Sequence, residues 1–122
     1  MKNILLVEDE KILTDMYKEK LVHSGFKVIS VSSAEEGLDI IAKSKIDLVI
    51  LDILLPKENG LYFLEKQKSI PEISSVPVIV FSNYNDTEFQ AKAKEFGAEA
   101  YLLKTSVTPS ELIDKINQYL AK

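Results

Sequence analysis

Four places in the chain carry side chains whose chemistry could be combined. Glu8 and Asp9 are adjacent acids, Asp52 is a third, and Ser82 and Lys104 add a hydroxyl and an ammonium. Taken singly, each has a plainer reading. Glu8-Asp9 suits a helix N-terminus. Asp52 suits a turn before Leu54-Leu55-Pro56, Ser82 a loop, and Lys104 a solvated surface. What they share is position, because each group follows directly on a short apolar run. If those runs are strands of one parallel sheet, all four groups meet at its carboxyl edge, where open α/β sheets bind their ligands.

Three carboxylates at one edge repel. At ~5 Å and an effective dielectric of ~20, each pair costs roughly 3 kcal/mol. A compact acidic cluster therefore calls for a cation. Oxygen ligands without His or Cys favour Mg²⁺ over zinc. Mg²⁺ keeps several waters and can exchange one for a phosphoryl oxygen. With Lys104 as a second positive charge and Ser82 as a donor, the set suits phosphoryl transfer, with charge stabilisation as the main catalytic device.

The elements that must position these groups are legible. The apolar runs Ile4–Val7, Val28–Val31, Leu48–Leu51, Val78–Phe81 and Ala100–Leu103 mostly lack alternation, as strands buried on both faces do. Helical segments lie between them. Lys11–His23 sets Ile12, Leu13, Met16, Tyr17 and Leu21 along one side and stops at Ser24-Gly25. Ser33-Ala34-Glu35-Glu36 reads as a capping box, with Leu38, Ile41 and Ala42 behind it. Gly60–Ser69 carries Leu61, Phe63 and Leu64. Asp86 caps Thr87–Phe96, which Gly97 ends. Thr108-Pro109-Ser110-Glu111 starts a last helix with Leu112, Ile113, Ile116, Tyr119 and Leu120 inward. The (βα) unit repeated five times predicts a doubly wound α/β sandwich. A single domain spanning 1–122 is expected.

Composition narrows the classes. Of 122 residues, 46% are apolar, which excludes a disordered chain. There is no cysteine, so disulfides, thiol catalysis and Cys-type zinc sites are excluded. Net charge is −4 and every basic residue except His23 is Lys. No basic stripe suits nucleic acid, and no apolar run reaches the length of a membrane span. Without Arg, a bound anion must be held by metal, Lys, hydroxyls or backbone amides. The default expectation is cytoplasmic. His23 reads as a solvated helix residue.

On the acidic pair Glu8-Asp9, the stretch Asp52-Ile53-Leu54-Leu55-Pro56-Lys57-Glu58-Asn59-Gly60, Ser82 and Lys104, the chain resembles response-regulator receiver domains. The resemblance runs from Lys2 to Tyr119. It implies a flavodoxin-like five-stranded parallel sheet of order 2-1-3-4-5. It implies Asp52 as phosphoacceptor, Asp9 as a direct Mg²⁺ ligand, Glu8 as one acting through water, and the Leu54 carbonyl as another ligand. Ser82 would bind the phosphoryl oxygen, Lys104 would pair with phosphate, and Tyr101 would be the switch aromatic. Leu54 and Tyr84 occupy positions that tune hydrolysis. The implied donor is a phosphohistidine on a sensor histidine kinase or phosphotransfer protein. The implied output surface is the fourth helix, fifth strand and fifth helix. Such a protein is a switch that catalyses only its own phosphorylation and dephosphorylation.

Three positions depart from the family pattern. Thr105 replaces the usual Pro after the lysine, so the bond before it is expected to be trans with an altered loop, or a costly cis. Asn83 replaces a small residue and is expected to crowd or bond the phosphoryl site. Leu54 cannot orient water and Tyr84 could cover the phosphoryl group, which predicts a long-lived phosphoaspartate. The alternatives are a pseudo-receiver used only as an interaction module, a Mg²⁺-dependent phosphohydrolase and a flavodoxin-like carrier. The last is disfavoured because Glu8-Asp9-Glu10 would repel an FMN phosphate. A monomer is expected, since the dimerising salt bridges of some receivers use Arg.

Overall fold

The computed structural model describes residues 1–121; the last residue of the expected domain, Lys122, lies outside them. Five strands alternate with five helices: β1 Asn3–Val7, α1 Lys11–His23, β2 Lys27–Val31, α2 Ala34–Lys43, β3 Leu48–Leu51, α3 Gly60–Lys68, β4 Val78–Ser82, α4 Thr87–Glu95, β5 Ala100–Leu103 and α5 Pro109–Leu120. All pairings are parallel and the sheet order is β2-β1-β3-β4-β5. Every expected strand and helix is present, with ends shifted by a residue or so.

The strands explain why the apolar runs do not alternate. Ile4 and Leu6 of β1 face a core completed by Tyr17 and Leu21 of α1 and Leu112 and Ile116 of α5. Leu5 and Val7 face the other core, completed by Ala34 and Ile41 of α2, Phe63 and Leu64 of α3 and Ala93 of α4. Successive side chains point to opposite faces, and both faces are covered.

Helix ends follow their local signals. Asn59 Oδ1 accepts from the Leu61 and Tyr62 amides, and Asp86 Oδ1 from those of Glu88 and Phe89. The Thr108–Glu111 capping box closes in both directions. Gly25 and Gly97 take the left-handed conformation after α1 and α4, at φ +94° and +97°.

Three expectations need correction. Ile12 is 83% exposed and Met16 40% exposed. The buried stripe of α1 is Tyr17 and Leu21, with Leu13 packed beside them. Those three repeat at i, i+4, i+8; Ile12 and Met16 lie one residue earlier, rotated about 100° off that line. Ala42 is exposed for the same reason, while Gly37 and Ile41 take the inward side of α2. The Ser33 box closes in one direction only: Ser33 accepts the Glu36 amide, but the Glu36 carboxylate takes the Ser32 and Ser33 hydroxyls.

Candidate functional site

The sheet delivers the acids to one edge through its own ladder. The Asp52 amide donates to the Val7 carbonyl at 3.0 Å, and the Glu8 amide to the Val31 carbonyl at 3.0 Å. Pairing thus continues one residue past the strands and sets Asp52 beside the β1 terminus. Glu8 and Asp52 are 4% and 6% exposed, whereas Asp9 faces solvent. One carboxylate oxygen from each of the three lies within 4.8 Å of the others. On the far side, the Lys104 amide donates to the Ser82 carbonyl at 3.0 Å, fixing the β4 and β5 ends together.

Lys104 reaches across the edge. Its Nζ donates to Asp52 Oδ2 at 2.9 Å and also to Glu8 Oε1, with all three side chains almost wholly buried. The sequence placed Lys104 near Asp52; the sharing with Glu8 is added by the structure. One cation between two carboxylates explains the titration directions. Burial pushes Glu8 upward, and its part share of Lys104 does not compensate. Burial alone would lower Lys104, but its bonds to Glu8 and Asp52 outweigh burial and raise it.

The second oxygens are also engaged. Glu8 Oε2 accepts the Glu10 amide at 3.1 Å, and Asp52 Oδ1 the Leu54 amide at 3.2 Å. The Thr14 hydroxyl donates to the Glu8 carbonyl at 3.2 Å and ties α1 to this corner; nothing in the sequence marks Thr14 beyond its place one turn into α1.

Donor chemistry fits a hard divalent cation. Three carboxylates against one ammonium leave two negative charges, and the donors are all oxygen. Asp9 is exposed and offers one oxygen to this acidic cluster.

The β3–α3 loop is shaped around Asp52. The Gly60 amide donates to the Ile53 carbonyl at 2.9 Å. A Cβ on Gly60 would stand 2.5 Å from the Asp52 carbonyl oxygen, so only glycine fits. Lys57 adopts φ 65°, a left-handed position uncommon for lysine. The Leu54 side chain is 54% exposed beside the site.

Ser82 is fully buried, and its Oγ accepts the Tyr84 amide at 3.2 Å. Tyr101 donates its hydroxyl to the Tyr84 carbonyl at 2.5 Å, linking β5 to the loop after β4. The Tyr84 ring meets Phe89 of α4 edge-on, with centroids 4.9 Å apart. Asn83 is exposed. Among the described residues every peptide bond is trans, including that before Thr105.

An acidic corner with one shared lysine, at the carboxyl edge of a 2-1-3-4-5 sheet, defines a class of phosphoryl-accepting signalling domain. The response regulator receiver domain family matches residues 4–117, and the chain belongs to that family. It is 35% identical to the transcriptional regulatory protein CpxR of Escherichia coli K12 over all of this chain and 50% of CpxR. It is 34% identical to the response regulator ArlR of Staphylococcus haemolyticus over 85% of this chain and 46% of ArlR. The chain thus spans about half the length of these curated relatives. Among solved structures it is similar to a CheY-like receiver domain protein from Methanospirillum hungatei JF-1, with TM-score 0.90 and 33% identity over 99% of this chain and 94% of the other.

Proposed function

We propose that residues 1–122 form one receiver domain that accepts a phosphoryl group on Asp52. The observation that carries this reading is the buried Asp52 carboxylate, held 2.9 Å from Lys104 and within reach of Glu8 and Asp9. An Asp52 oxygen attacks phosphorus in line. The nitrogen–phosphorus bond of a donor phosphohistidine breaks, and the released imidazole nitrogen takes up a proton. Mg²⁺, when bound, supplies charge neutralisation for the phosphoryl oxygens. Asp9 would hold it directly, with Asp52 and the Leu54 carbonyl; Glu8, both of whose oxygens are engaged, would act through water. Lys104 pairs with a phosphoryl oxygen once the Asp52 carboxylate has become an acyl phosphate, and the Ser82 hydroxyl donates to another.

The signal then has a route. Ser82 Oγ holds the Tyr84 amide and Tyr101 holds the Tyr84 carbonyl, so a moving serine pulls on one residue that both grip. The surface that responds is α4, β5 and α5, where a downstream protein would bind. A sensor histidine kinase or phosphotransfer protein is the donor, and the domain acts as a monomer without direct contact to nucleic acid.

Incubation with acetyl phosphate and Mg²⁺ followed by intact-mass measurement tests this. A phosphate adduct that disappears in Asp52→Asn is expected. No adduct in the unaltered chain leaves the interaction-module reading. With apolar Leu54 and aromatic Tyr84 beside the site, the adduct outlives rapid hydrolysis; its loss within seconds would contradict that.

A further inference from the structure

A large cavity lies at the other end of the sheet from Asp52. It opens at the amino ends of β1 and β2, between the last turn of α1 and the α2–β3 connection, and holds about 580 Å³. That volume lies within the range of small-molecule sites, about 300–1,000 Å³. Its walls are apolar: Val22 from α1, Phe26 from the turn, and Val28 and Ile29 from β2. Because β2 is an edge strand, no further strand covers them. Val22 is 52% exposed, an apolar residue left in water beside the cavity.

The chain carries net charge −4, yet the residues lining the cavity include Lys27 and Lys45 and no carboxylate. Both lysines are exposed, and among the described residues neither is in an ion pair. An apolar body with an anionic head complements such a site. A cation is repelled by the rim, and a purely polar anion gains nothing from Val22, Phe26 and Ile29. We propose that this cavity binds an amphipathic carboxylate, an aliphatic chain of medium length with its carboxylate between Lys27 and Lys45. The proposal is independent of the chemistry at Asp52.

The test uses decanoate below its micelle concentration with the full chain, followed by amide chemical-shift mapping. Saturable shifts are expected at Val22, Phe26–Ile29, Ser44 and Lys45, with none around Asp52. Lys27→Gln and Lys45→Gln should each weaken binding about threefold to fivefold, as loss of an exposed ion pair does, and circular dichroism melting checks that both variants stay folded. Decanol binding as tightly as decanoate would overturn the anionic part of the proposal. Absence of saturable shifts would overturn all of it. Shifts of the same amides with protein concentration alone would assign the cavity to a second copy of the chain and equally overturn it.

Discussion

Lys104 decides the electrostatics of the acidic corner. Removing it strands Glu8 and Asp52 as buried carboxylates without a cation, which typically costs about 3 kcal/mol or more. Lys104→Met should therefore lose about 3 kcal/mol in urea unfolding without Mg²⁺; a loss below about 1 kcal/mol would show that water already solvates the pair. Tyr101 gives a pH prediction of known sign. Burial, then the negative charge of Asp52, pushes its hydroxyl up to about 12. The unfolded chain ionises this tyrosine near 10, so its contribution to stability is intact below that pH and is lost as pH rises through the folded value. Ultraviolet absorbance should show one tyrosine, absent in Tyr101→Phe, ionising near 12. At this scale the placement of the acids, serine and lysine at strand ends was readable. Glu8, Asp52, Ser82 and Lys104 each break an apolar run at a strand end, with Asp9 directly after Glu8, which sequence displays. The division of Lys104 between two carboxylates was not, because it depends on a separation across the sheet.

At the level of elements, the β3–α3 loop is the most constrained. Gly60 opens α3 under the Asp52 carbonyl, where a methyl group has no room. Gly60→Ala should cost about 1–3 kcal/mol, the usual range for overpacking, and should also slow acetyl-phosphate modification of Asp52. A fall in stability with the modification rate unchanged would mean that the loop relaxes without moving the carboxylate. Element order and type were readable because the strands are continuous apolar runs and most helices carry their own caps. The orientation of α1 was misread. Ile12, Leu13, Met16 and Tyr17 all look apolar, and periodicity admits two adjacent stripes; the narrow contact of α1 with the sheet and α5 chooses the one through Tyr17 and Leu21.

For the molecule as a whole, the excess of two negative charges at the corner would couple folding to any cation bound there. A cation that binds only the folded chain stabilises it by about 1.4 kcal/mol at tenfold excess over its dissociation constant. Mg²⁺ should raise the melting temperature, and Asp9→Asn should remove most of that rise; an equal rise in the variant would move the metal elsewhere. The doubly wound fold was legible because five (βα) units leave few alternatives. One consequence concerns the order in which the chain assembles. The Lys104–Glu8 link joins residues 96 positions apart, the first strand's end to the last's. A nascent chain that has paired β1 with β3 but has not yet released β5 from the ribosome holds its three acids without their ammonium. The corner that defines the domain is thus completed only once β5 has emerged, and until then dissolved cations are its counterweight.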